Sequence, residues 1–192
     1  MILLDFFQKR NSIRSVLVVV AVTSIFVGLA SGCTNNTPKS AGTELKIETG
    51  VLPAVVKQIP LVSDFSQMLA ASSVLATTSA ASKFTFYVPT NKAVQDYLAE
   101  INTTKAVLIA DTAKLNAFVG AHVTVGEVSA TALLNRTGES LTMVGGGSLV
   151  IGKSKDGQVL LTKNEKNKAT LIAIDVAATN GLVHLVDHVL VS

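Results

Sequence analysis

Gly147-Ser148-Leu149-Val150-Ile151-Gly152-Lys153-Ser154 has the spacing G-x-x-x-x-G-K-S of a loop that cradles phosphates. Such a loop needs a helix beginning at its Lys and Ser, so that free amides and the helix dipole face the anion. Leu149 to Ile151 reads as a strand instead, and Asp156-Gly157 turns the chain just beyond Ser154. No nucleotide is therefore expected as a ligand. His184, Asp187 and His188 invite a metal site. In the strand that Leu182 to Val191 suggests, residues four apart share a face but lie about 13 Å from each other at ~3.3 Å per residue. That is too far to share an ion, and Asp187 points to the opposite face. A structural role is expected for His184, with neither metal nor cofactor. There is no G-x-S-x-G elbow for a nucleophilic serine, and Cys33 is the only cysteine. The chain is not expected to be an enzyme.

Cys33 has a different chemistry. Lys9, Arg10 and Arg14 precede an uncharged apolar run of 15 residues from Val16 to Ala30, followed by Ser31 and Gly32. These are the basic, apolar and small-residue zones of a secretion signal. At ~1.5 Å per residue a helix over that run reaches about 22 Å, short of the ~30 Å hydrocarbon core of a bilayer. Leu29-Ala30-Ser31-Gly32-Cys33 resembles a bacterial lipobox, in which the thiol becomes a diacylglyceryl thioether and small residues admit the peptidase. Each buried methylene contributes ~0.8 kcal/mol, so two or three acyl chains anchor stably where one is marginal. The alternative is ordinary cleavage with Cys33 left as a free thiol. Residues 1–32 are expected to be a lipoprotein signal, 33–50 a polar tether and 51–192 the folded domain. Thr34, rather than Asp, after the cysteine implies outer-membrane sorting if the cell has two membranes.

Three of the 16 Lys and Arg and one of the 13 Asp and Glu belong to the leader, so the mature part carries 13 basic and 12 acidic side chains. That balance argues against nucleic-acid binding, which draws its affinity from clustered cations. Lys163, Lys166 and Lys168 are interrupted by Glu165 and read as a solvated loop. With no Trp and few aromatics, small apolar residues must build the core.

The elements that would position these groups are legible from periodicity. Phe65, Met68, Leu69 and Ser72 lie at helical spacing within Asp64 to Leu75, with Ser63 or Asp64 available as cap. Lys83 to Val88 alternates as a strand, Pro89 stops it, and Thr90 can cap a helix carrying Ala93, Val94, Tyr97, Leu98 and Ile101. A helix follows Asp111 and ends near Gly120, and Ser129 can cap a short one through Leu134. From Ser140 onward, Leu141 to Val144, Leu149 to Ile151, Val159 to Thr162, Leu171 to Val176 and Leu182 to Val191 are β-prone, separated by glycine turns. Helices first and an antiparallel sheet later predict an α+β domain.

Four segments in order resemble the fasciclin-like domain: Phe84 to Ala93, His122 to Val128, the hairpins from Leu141, and Ala178 to Leu190. The likeness runs from about Val51 to Ser192. It implies a wedge-shaped antiparallel β-sandwich with flanking helices, extracellular and concerned with adhesion or matrix binding. By position, Pro89, Thr90 and Asn91 would fix the first turn, Asn180 and Gly181 would shape the turn into the last strand, and His184 and Asp187 would belong to the scaffold. His122 matches a family histidine that stands beside a tyrosine linked to integrin-dependent adhesion in animal members. Ala121 occupies that tyrosine's place, so an integrin-type mechanism is not expected. With the lipobox at Cys33, the resemblance leads to the expectation of a lipid-anchored module whose partner is a protein or polysaccharide of the envelope, matrix or a neighbouring cell. The alternative is a small-molecule carrier or enzyme with a pocket near His122 and His184.

Overall fold

The computed structural model describes residues 50–77, 82–165 and 167–191. The leader, Cys33 and most of the tether lie outside the described residues. Six helices and seven strands follow in the order α1 (Leu52–Lys57), α2 (Ser63–Ala71), β1 (Phe84–Pro89), α3 (Asn91–Glu100), α4 (Lys105–Ala110), α5 (Thr112–Gly120), β2 (Val123–Val125), α6 (Ala130–Asn135), β3 (Ser140–Thr142), β4 (Ser148–Lys153), β5 (Val159–Thr162), β6 (Lys168–Ala178) and β7 (Gly181–Val186) among the described residues.

The strands are linked in the order β2-β1-β7-β6-β5-β4-β3. β6 holds the two halves together because it changes partner along its length. Lys168 to Thr170 pair with β5, whereas Leu171 to Ala178 pair with β7 across two register shifts. A strand that switches partners through bulges turns a corner between packed layers. One pairing departs from the antiparallel expectation, because β1 and β7 run parallel from Phe84 opposite Gly181 to Pro89 opposite Val186. Parallel neighbours need a crossover connection, and here nearly the whole middle of the chain supplies it.

β1 and β7 are buried along their entire length, so side-chain parity sorts their residues between two cores. Phe84, Phe86, Val88, Val183 and Leu185 join Leu52, Phe65, Met68 and Phe118 on the side of the early helices. Tyr87 and Val186 join Leu133, Leu149, Ile151, Leu161 and Leu190 on the side of the hairpins and α6. A one-residue slip in either strand would exchange the two sets. The two edge strands meet rather than face solvent alone. The Val144 amide donates to the Val123 carbonyl at 2.8 Å, and the Thr124 hydroxyl donates to the Thr142 carbonyl at 2.7 Å.

Two sequence expectations are corrected. The helix expected from Asp64 to Leu75 ends at Ala71, and a 3-10 turn occupies Val74–Thr77. Neither Ser63 nor Asp64 caps it; the cap comes from Asn91, 27 residues beyond Asp64. The strand expected over Leu182 to Val191 ends at Val186. There Asp187 uses both backbone and side chain on Thr170, with its amide 3.2 Å from the Thr170 carbonyl and Oδ1 2.7 Å from the Thr170 amide. The next residues leave the ladder, and the Leu190 amide is received by His122 instead.

Candidate functional site

His122 follows the C-terminus of α5 and is fully buried. Its Nε2 accepts from the Leu190 amide at 3.0 Å, so the ring proton resides on Nδ1, 2.7 Å from the Phe118 carbonyl. Phe65 and Phe118 flank the ring, with centroids 5.5 and 5.0 Å away. Burial pushes its pKa down to about 4, against the opposing pull of the Phe118 carbonyl. The ring is neutral at physiological pH and ties the segment after β7 to α5.

His184, on β7, has the opposite tautomer. Its Nδ1 accepts from the Asp175 amide at 3.1 Å, and its Nε2 donates to the Val128 carbonyl at 2.9 Å. The ring stacks on Tyr87, its register partner, at 5.6 Å. Burial lowers its pKa, with the Val128 carbonyl and Asp175 pulling the other way. Asp175 adopts φ 56, unusual for a residue with a side chain. Its carboxylate receives the Ala130 amide at 3.0 Å, so one residue at the β6 irregularity serves both His184 and the start of α6. Tyr87 is also fully buried; burial pushes its hydroxyl's pKa up, and that hydroxyl has no hydrogen-bond partner among the described residues.

Both nitrogens of both histidines are thus committed to the backbone. A proton-transfer or ligand role needs a nitrogen within reach of a bound molecule. The alternative of a small-molecule carrier or enzyme using a pocket near His122 and His184 therefore draws no free nitrogen from these rings, which are buried struts. His188 is exposed beside Asp187, with Nδ1 2.9 Å from Oδ1. It does not share a face with buried His184, and among the described residues no group of three His, Cys, Asp or Glu could hold a metal. The G-x-x-x-x-G-K-S string falls on β4, with Ser148 to Lys153 in the sheet and a turn from Ser154 to Gly157. Among the described residues no helix follows Lys153 to aim amides at a phosphate.

The turn residues act locally at Thr90 and at long range at Asn91 and Asn180. Thr90 caps α3, its hydroxyl 3.2 Å from the Ala93 amide. Asn91 Oδ1 accepts from the Asp64 amide at 2.9 Å while Nδ2 donates to the Pro60 carbonyl at 3.0 Å. Asn180 Oδ1 accepts from the Leu52 amide at 2.8 Å, at the start of α1. Gly181 has φ +149, and a Cβ there would lie 1.8 Å from the Phe84 carbonyl oxygen, so only glycine fits where β7 starts against β1. Pro89 closes β1 opposite Val186.

What the polar motifs leave open is a cavity of about 430 Å³ whose lining includes Tyr97, Leu108, Lys114, Phe118, Ala121 and Lys163. In the sequence Lys163 reads as part of a solvated loop, and Phe118 falls within the helix that follows Asp111. Nothing in local spacing signals that residues so far apart converge.

The chain is similar to several known proteins. It is 32% identical over 130 residues to Protein sll1483 of Synechocystis sp. (strain ATCC 27184 / PCC 6803 / Kazusa), a match covering 66% of each chain. Its fold matches the FAS1 domain pair from the insect cell adhesion molecule fasciclin I with TM-score 0.65 and 18% identity, covering 74% of this chain and 51% of that one. The chain therefore spans just under two thirds of that relative and about half of that structure. Residues 60–192 match the fasciclin domain model, and with the sheet, helices and turns described above this means that the chain belongs to the fasciclin-domain family.

Proposed function

We propose that this protein is a lipid-anchored, extracytoplasmic binding module that recognises a protein or polysaccharide of the envelope, the matrix or a neighbouring cell. The observation that carries this reading is the commitment of Thr90, Asn91, His122, Asn180 and His184 to backbone hydrogen bonds. Polar residues of the types that build reaction centres here hold turns and helix ends. Recognition then falls to exposed loops and sheet surface. The Leu29 to Cys33 lipobox and the polar tether after it supply export and anchoring. The fold match to part of an insect cell adhesion molecule agrees in kind, and no helix of the described residues is long and apolar enough to cross a membrane.

Photo-crosslinking on intact cells from positions in the exposed loops tests the proposal. The expected result is one macromolecular partner captured from the cell surface, together with reduced adhesion or biofilm formation in a deletion strain. A deletion strain unchanged in adhesion, biofilm and envelope integrity, with no adduct on intact cells, would overturn it.

A further inference from the structure

We propose that the cavity between α3, α4, α5 and the β3–β4 turn binds a small amphipathic carboxylate, an aromatic or short aliphatic acid. Its volume of about 430 Å³ lies within the ~300–1,000 Å³ of small-molecule sites. Leu108, Phe118 and Ala121 supply apolar surface, and the Tyr97 ring lies 5.5 Å from that of Phe118. Such a lining favours a ligand with an apolar body over inorganic phosphate or sulfate.

Two cations line the same cavity in different states. Lys114 is exposed, and Asp111 already neutralises it at 3.0 Å. Lys163 is half-buried and has no acidic partner within ion-pair distance among the described residues. Its ammonium rests on the glycine turn, where a Cβ on Gly147 would come within 2.6 Å of Nζ. A half-buried ammonium without a counter-charge favours an anion beside it. Burial, with Glu100 adding to it, raises the Tyr97 pKa, so its hydroxyl remains a neutral donor. One uncompensated positive charge above apolar surface fits a monoanion. The wall is firm: the Gly145 amide donates to the Gly120 carbonyl at 2.9 Å, and a Cβ on Gly120 would lie 2.6 Å from the Gly145 Cα.

The test uses the full chain in lipid nanodiscs, with 4-fluorophenylacetate as probe and 2-(4-fluorophenyl)ethanol as its neutral counterpart, read by fluorine NMR against empty nanodiscs. The expected result is saturable binding of the acid and at least tenfold weaker binding of the alcohol. Lys163→Gln should weaken acid binding about tenfold, as loss of a charge-assisted contact implies. Lys114→Gln should change it less than threefold, because Asp111 already shares that charge. Ala121→Phe, which fills the cavity, should abolish binding with the circular dichroism spectrum unchanged. If that variant does not fold, Lys163→Gln and the alcohol decide. No saturable binding of the acid, equal binding of acid and alcohol, or wild-type affinity in Lys163→Gln would each overturn the proposal.

Discussion

A histidine held between an amide and a carbonyl inside an aromatic shell cannot gain a proton without losing a bond. His122 is in that position: protonating Nε2 would set a donor against the Leu190 amide. Its pKa falls from the ordinary 6.5 to about 4 in the fold. Below pH 6.5 the unfolded chain therefore takes up a proton that the native state refuses. Stability is greatest above pH 6.5 and declines as pH falls toward 4, reaching a plateau below that. This histidine alone should remove about 2 kcal/mol between pH 7 and pH 5, and the lowered pKa of His184 acts in the same direction. Urea denaturation at the two pH values checks this. His122→Gln should be less stable than wild type at pH 7 yet show a flatter pH dependence, and equal slopes in the two proteins would contradict the assignment. The tautomers of His122 and His184 were not legible in the sequence, because each is set by backbone groups on other elements.

Short helices lack the length to stabilise themselves, and most here begin with a bound amide. Thr90, Thr104, Asp111 and Ser129 cap α3, α4, α5 and α6 from the adjacent position, and such caps can be read from sequence. α1 and α2 follow Val51 and Val62, which offer no side-chain acceptor. Asn180 and Asn91 reach their first turns from distant turns of the chain. A cap donated across the fold links helix formation to tertiary assembly, so α1 and α2 should be weak in any fragment lacking the later residues. Asn91→Ala removes the acceptor at Asp64 and the donor at Pro60, and should cost about 1–2 kcal/mol by chemical denaturation. Asn91→Asp keeps an acceptor and loses the donor, so it should fall between. A substitution confined to a solvated loop residue would instead be close to neutral, and that outcome would remove the capping role.

At the level of the whole molecule, the proposed lipid anchoring predicts that the domain folds without its attachment. Cys33→Ser should leave the domain folded but shift the protein from the membrane fraction to the soluble exported fraction, with loss of labelling by radioactive palmitate. Wild-type protein that fails to incorporate palmitate would mean ordinary cleavage and a free thiol. Within the domain, the edge strands β2 and β3 are each three residues long and are bonded to each other from the Thr124 hydroxyl to the Thr142 carbonyl. Short, mutually covered edges offer little template for unwanted strand pairing.

Read alone, the sequence determined what depends on near neighbours. The Thr90 cap, the strand at Phe84 to Val88 and the glycine turns between hairpins all follow from spacing along the chain. It also ruled out a phosphate loop at Lys153, since that needs a helix immediately afterwards. Tertiary structure decided what depends on which distant groups meet. It set the parallel register of β1 with β7, the caps that Asn91 and Asn180 provide, the early end of the last strand and the cavity shared by Tyr97 and Lys163. Periodicity records which face of an element is apolar, whereas hydrogen-bond partners and cavities are properties of pairs, settled only when the chain closes on itself.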